Sequence, residues 1–188
     1  MEEEELGVVM FAGIWHSDSD TGGFYLVGCI YSHKPYHVEA LKTILQSSLN
    51  PAKGMAISFI ENGRFLLKFF HVAYRDRVLE CGPWAFEKSL IALAQVAENE
   101  NPAEVDLTWC DFDVRIHSLP VKKMTLDIAR FISDKIGWLR RYDKAKGPEL
   151  WGSFMYLRVA IDVTKPLPRA LKIRTMLGDE QIVTFTYE

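Results

Sequence analysis

The chain has little cysteine, and what it has is badly placed for cross-linking. Cys29, Cys81 and Cys110 are odd in number and far apart, with no Cys-x-x-Cys pair. That argues against a disulfide framework and for a reducing compartment. A Gly-rich phosphate loop of the Walker or dinucleotide-binding kind is missing as well. The apolar run from Leu6 to Trp15 is about half the roughly 20 residues that a membrane-spanning helix requires. It follows Met1-Glu2-Glu3-Glu4-Glu5, the wrong charge for a secretory or transit peptide. The expectation is a soluble intracellular protein, nuclear or cytoplasmic, without a membrane partner. His33 and His37 have the spacing of a helical metal pair, but Pro35 lies between them and further ligands do not cluster nearby. Neither a metal nor another cofactor is expected.

What is present is an ordinary globular composition, 48% apolar and 25% charged over 188 residues. That is enough for one domain or two small ones with a shared core. Eleven Phe, seven Tyr and five Trp supply large areas for burial. The charge is unevenly spread. Val114 to Arg174 holds fourteen Lys and Arg against five Asp and Glu, a net of +9, whereas residues 1–113 carry −9. The whole-chain value of −3 hides this basic segment, which suggests a surface for a polyanion.

Residues 1–23 read as a flexible appendage ending in the polar stretch His16 to Gly23. Phe24 to Tyr31 is a short apolar strand. Val38, Leu41, Leu45 and Leu49 then recur at helical spacing, and Asn50-Pro51 ends that helix. Met55 to Ile60 and Phe65 to Phe70 form a hairpin, because Asn62-Gly63 supplies the positive φ angles of a tight turn. Tyr74, Val78 and Cys81 mark a second helix stopped by Gly82-Pro83, with Trp84 as a core anchor, and Ser89 to Val96 is a further strand. The order is the βαββαβ of ferredoxin-like and RRM-like (RNA-recognition-motif) domains, spanning residues 24–97. Residues 98–111 are a polar connector.

The second half, 112–188, is a basic α+β unit. Phe112 to Ile116 is its first strand, and Thr125 caps a helix with Ile128, Ile132 and Ile136 on one face and Gly137 as its stop. Met155 to Ile161 alternates as a half-buried strand. Ala170 to Met176 and Gln181 to Tyr187 form a last hairpin around Gly178-Asp179. No repeat at solenoid spacing is visible.

RNA-recognition motifs display two aromatics on their third strand for base stacking. In the matching run, Phe65, Leu67 and Phe69 share the core face, and Arg64, Leu66 and Lys68 stand where those aromatics belong. The first half therefore lacks the usual platform, and this face is expected to be solvated or covered by the second half. The basic segment offers a better surface. Arg158, Lys172 and Arg174 fall on alternating strands and are expected to project together beside Tyr156. Arg140-Arg141-Tyr142 with Lys144 and Lys146 reads as a basic loop with an aromatic inside it. Phosphate pairing by such cations, with stacking on Tyr142 and Tyr156, is how single strands are held. The alternative is a solvated face that keeps the domain soluble.

Taken together, Leu26-Val27-Gly28, Asn62 to Phe69, Arg77-Val78-Leu79-Glu80-Cys81-Gly82-Pro83-Trp84-Ala85-Phe86, Val114 to Pro120, Ile132 to Gly137 and Leu157 to Pro168 form a distinctive ordered set. The set resembles the plant domain of unknown function that precedes a CCHC zinc knuckle in proteins derived from LINE-type retrotransposons, from about residue 24 to the end. The resemblance implies an RRM-like, gag-like, non-catalytic module that binds nucleic acid. In that family a strand like Phe185-Thr186-Tyr187-Glu188 runs on into the knuckle. This sequence stops at Glu188, so zinc binding is expected to be absent and the chain to be a truncated product or a fragment. The leading expectation is weak, salt-sensitive binding of single-stranded RNA or DNA through Arg140, Arg141, Lys144, Arg158, Lys172 and Arg174, with Tyr142 and Tyr156 stacking. The alternative is a protein-interaction or self-association module using Leu6 to Trp15 and exposed strand edges. A cysteine-dependent hydrolase is the third class, without a local signature to support it.

Overall fold

The first strand, β1 (Phe24–Tyr31), is built around a glycine. The Phe65 ring lies over Gly28, and a Cβ there would come within 2.6 Å of the Phe65 and Leu93 side chains. Only a residue without a side chain lets that ring close over the strand. The structure is a computed structural model that describes residues 23–32, 34–49, 54–142, 154–174 and 180–188. Residues 1–22 of the expected appendage, Asn50-Pro51, the Gly178-Asp179 turn, Lys144 and Lys146 lie outside the described residues.

The helical spacing after β1 becomes α1 (Val38–Leu49), which buries Leu41, Leu45 and Leu49 on one face. Next come β2 (Met55–Phe59) and β3 (Arg64–Phe69). Asn62 and Gly63 take φ angles of 61° and 69° and set Phe59 opposite Phe65. In α2 (Val72–Glu80) the His71 ring nitrogen caps the first turn by accepting from the Ala73 N–H. Beyond it the Trp84 indole N–H donates to the Val78 carbonyl at 2.8 Å. Trp84 is thus an anchor, as expected, but it also opens an additional strand, β4 (Trp84–Phe86), paired with β5 (Ser89–Gln95). The turn between them is Glu87-Lys88, both at positive φ. These are not the residues that announce such a turn in a sequence.

The second half begins at β6 (Trp109–His117), somewhat earlier than the connector boundary expected at residue 111. In α3 (Leu126–Ile136), Thr125 caps the helix through its side-chain oxygen to the Ile128 N–H, and Ala129, Ile132, Ser133 and Ile136 are buried. Gly137 then lets the chain pass tightly by its neighbour: a Cβ there would lie 2.1 Å from the Ala160 carbonyl oxygen. The described part of the stretch read as a basic loop, Arg140 to Tyr142, belongs to a strand, β7 (Trp138–Tyr142). Its pairing with β8 (Phe154–Asp162) shifts register between Leu139 and Arg141, and that irregularity erases the alternation a strand normally shows. β9 (Ala170–Arg174) and β10 (Glu180–Tyr187) complete the half.

The described fold is mixed α+β, with two antiparallel five-stranded sheets and three α-helices. The first sheet is ordered β2-β3-β1-β5-β4 and the second β7-β8-β6-β10-β9. Adding five to each strand number of the first sheet yields the second. α1 and α3 also occupy the same place in the chain order, after the central strand. The second half therefore repeats the topology of the first, except that no helix stands between β8 and β9 where α2 stands between β3 and β4. On the first sheet, α1 and α2 cover a core of Leu26, Phe65, Leu67, Phe69, Phe86 and Ile91. On the second, α3 covers Val114, Ile116, Met155, Leu157, Val159 and Val183.

Candidate nucleic-acid interface

The sheet face that an RNA-recognition motif would offer to bases is closed in the first half. Val27 and Ala92, fully buried on that face, join the second half's core together with Val105 and Leu107 of the connector. Cys29, Leu66, Leu90 and Ala94 pack against the same cluster. Arg64 projects from β3 on this side, and its Nη1 donates to the carbonyls of Val105 (2.7 Å) and Pro102 (3.2 Å). The Tyr31 hydroxyl reaches the Leu107 carbonyl. Of the two outcomes expected for this face, coverage is the one observed. The connector crosses the sheet and is tied down by two of its side chains.

In the second sheet the face away from α3 is different. Arg115 and His117 from β6 stand beside Tyr156 and Phe154 from β8, in the register Arg115↔Tyr156 and His117↔Phe154. The Arg115 guanidinium lies 5.3 Å from both the Phe154 and the Tyr156 ring centres. Phe154 meets Tyr156 edge-on at 5.1 Å and tilts against His117 at 5.4 Å. Arg115 also pairs with Glu188 at 2.5 Å, while its Nε is buried without a hydrogen-bond partner. β8 holds the position in this sheet that β3 holds in the first. The two aromatics missing from β3 thus have counterparts on β8.

At the other end of the same face, Trp138 of β7 stacks on Trp109 of β6, with ring centres 4.7 Å apart and planes inclined by 17°. Trp138 is 62% exposed. Arg140 and Arg141 follow it on the edge strand, and Arg140 pairs with Asp111 at 3.2 Å. A depression of about 500 Å³ runs along this edge, lined by Arg130 of α3 together with Trp138, Arg140 and Arg141. A second one, of about 310 Å³, opens between the halves beside Trp84 and Trp109, and Arg140 is a wall of both.

The residues expected to bind nucleic acid are not gathered in one place. Arg140 and Arg141 lie on the β7 edge and are exposed. Tyr142 turns to the core side, its hydroxyl donating to the Met124 carbonyl at 2.8 Å. Tyr156 belongs to the Arg115 cluster. Lys172 and Arg174 are exposed on β9, each paired with Glu180, across β6 and β10 from β8. The expected grouping of Arg158, Lys172 and Arg174 beside Tyr156 therefore does not form. Arg158 is on the anticipated face but only 7% exposed. It donates to the carbonyls of Gly82 (2.7 Å) and Leu79 (3.4 Å) and lies 3.3 Å from the Asp113 carboxylate. Alternation tells which face a residue is on, and here the end of the first half's α2 covers that part of the face. Arg115, His117, Phe154, Trp109 and Trp138 were missed. Arg115 and His117 alternate with Val114 and Ile116 just as Tyr156 alternates with Leu157, and that pattern was the available signal.

Burial pushes the Cys110 thiol up to about 12 and also raises Cys29, so neither favours the thiolate that a nucleophile requires. Cys81 is exposed. Among the described residues no group of three or more His, Cys, Asp or Glu could hold a metal ion; His37 precedes α1, and His33 is outside them. No helix among them is long and apolar enough to cross a membrane. A search of curated proteins finds no match to the chain. Residues 19–104 match the family model described as a domain of unknown function, DUF4283. The matched stretch takes in the first sheet and most of the connector, stops before β6, and identifies this half of the chain as similar to a domain-of-unknown-function family.

Proposed function

We propose that this protein binds single-stranded RNA or DNA, without catalysing a reaction, on the face of its second sheet that lies away from α3. The observation that carries this reading is the Arg115 guanidinium set against Phe154 and Tyr156 on the central strands. Aromatic rings set beside a cation are what base stacking with phosphate pairing uses, and both rings are half-buried. The +9 charge of Val114 to Arg174 supplies the attraction. The order β2-β3-β1-β5 of the first sheet supports an RRM-like, ferredoxin-like βαββαβ assignment for residues 24–97. The motif resemblance extends the proposal to a gag-like, retrotransposon-derived plant protein working inside the cell, nuclear or cytoplasmic.

The test is fluorescence anisotropy of a labelled 20-nucleotide single-stranded RNA, titrated at two salt concentrations. Binding should weaken steeply with salt, in proportion to the phosphates neutralised. Replacing both Phe154 and Tyr156 by Ala should weaken it at least about tenfold, since each stacked base contributes about 1–3 kcal/mol. Salt-independent binding, or a double variant that binds as well as the unaltered protein, would overturn the assignment.

A further inference from the structure

Most exposed aromatic side chains keep some freedom to turn. Trp138 has one face held flat against Trp109, and 62% of its surface is still exposed. Trp109 is set in turn by β6, whose pairing with β8 runs its whole length. The Gly137 contact with Ala160 fixes the backbone where β7 begins. The result is a rigid indole with an accessible surface at a sheet edge. Around it the charge is one-sided. Arg130, Arg140 and Arg141 line the same depression, against Asp134. Among the described residues Arg130 and Arg141 form no ion pair, whereas Arg140 has Asp111 as a partner.

We infer that Trp138, backed by Trp109, is a base-stacking platform, and that Arg130, Arg140 and Arg141 hold the phosphates of a single-stranded nucleic acid crossing the β7 edge. This rests on the proposed function and adds a second contact, separate from the Arg115 cluster. Trp138 pairs with Ala160, six residues along β8 from Phe154, or about 20 Å at the rise of an extended strand. Buried Arg158 lies between the two places. A preorganised ring loses little freedom when a base settles on it. The stacking is sequence-tolerant because every base has a π face.

The experiment compares two probes of equal length and charge, a 20-residue oligothymidylate and its abasic counterpart, against the full chain. Trp138→Ala should bind oligothymidylate about tenfold more weakly and the abasic strand within about twofold, and Trp138→Phe should recover most of the loss. Arg130→Ala with Arg141→Ala should weaken both probes alike and flatten the salt dependence by about two phosphate contacts. If Trp138→Ala leaves oligothymidylate binding unchanged, or weakens both probes equally without rescue by Phe, the platform is overturned and the proposed function stands. Absence of binding by the unaltered protein overturns both.

Discussion

The two halves have one strand order and different coverings. The first has two helices on one side of its sheet and the connector on the other, so both faces are buried. Among the described residues the second has a single helix on one side, and the other carries Arg115, Phe154 and Tyr156, half-buried, and Trp138, exposed. The same topology can thus be covered in different ways depending on what the chain does at its ends. The comparison also explains why the third strands differ. β3 presents Arg64, which fastens the connector, at a face that no ligand reaches. β8 presents Phe154 and Tyr156, half-buried, beside the Arg115 guanidinium.

The comparison breaks most severely at Arg158, whose guanidinium joins β8 to the end of α2. Arg158→Ala leaves two carbonyls and the Asp113 carboxylate without their donor. Truncating one member of a buried pair costs about 3–5 kcal/mol, and the partial exposure of Asp113 places this case near the lower end. A denaturant midpoint lowered by the equivalent of about 3 kcal/mol is expected; a loss under about 0.5 would show that the guanidinium does not hold the halves together.

Arg64 should come next. Its charged hydrogen bonds to Val105 and Pro102 are worth about 1.5–3 kcal/mol together with the ordering of the connector. Arg64→Ala should therefore be less stable by about 2 kcal/mol and be cleaved faster by protease within residues 98–108. Unchanged cleavage would mean that the apolar contacts of Val105 and Leu107 suffice to close the first sheet.

The gentlest probe is pH. Cys110 lies in the seam between the halves, and its thiol ionises at about 12 when folded against 9.0 for the ordinary group. Between those values the folded chain keeps a proton that the unfolded chain has released. This contribution is therefore present in full below about pH 9 and is lost as pH rises toward 12. The urea midpoint should fall between pH 8.5 and about 10.5, and fall less in Cys110→Ala. Equal slopes in the two proteins would remove the seam thiol from the account.

Much of the first half was legible because its signals are local. Asn62-Gly63 announces its turn, Leu41, Leu45 and Leu49 mark one helical face, and the alternation of β3 predicts its inward residues, Phe65, Leu67 and Phe69. α3 was equally plain from Thr125 and its isoleucines. β4 was not, since Glu87-Lys88 makes a turn that favours Gly and Asn. β7 was hidden by its irregular register at Arg140. The duplication was invisible for a deeper reason. Arg64-Phe65-Leu66-Leu67-Lys68-Phe69 and Phe154-Met155-Tyr156-Leu157-Arg158-Val159 share only a period of two, which any half-buried strand has. The basic character was legible as a charge excess but not as a place. Composition counts cations, and only the fold tells that Arg158 is enclosed while Arg130 and Arg141 are not.

The path of the connector has a practical consequence for dividing the chain. A fragment cut at residue 97 would bare Val27, Leu66, Ala92 and Ala94 together on one sheet, an apolar patch of the kind that drives aggregation. The stretch matched to the family ends at residue 104, short of Val105 and Leu107, which shield that patch. A soluble first half should therefore carry its own lid, through at least Leu107.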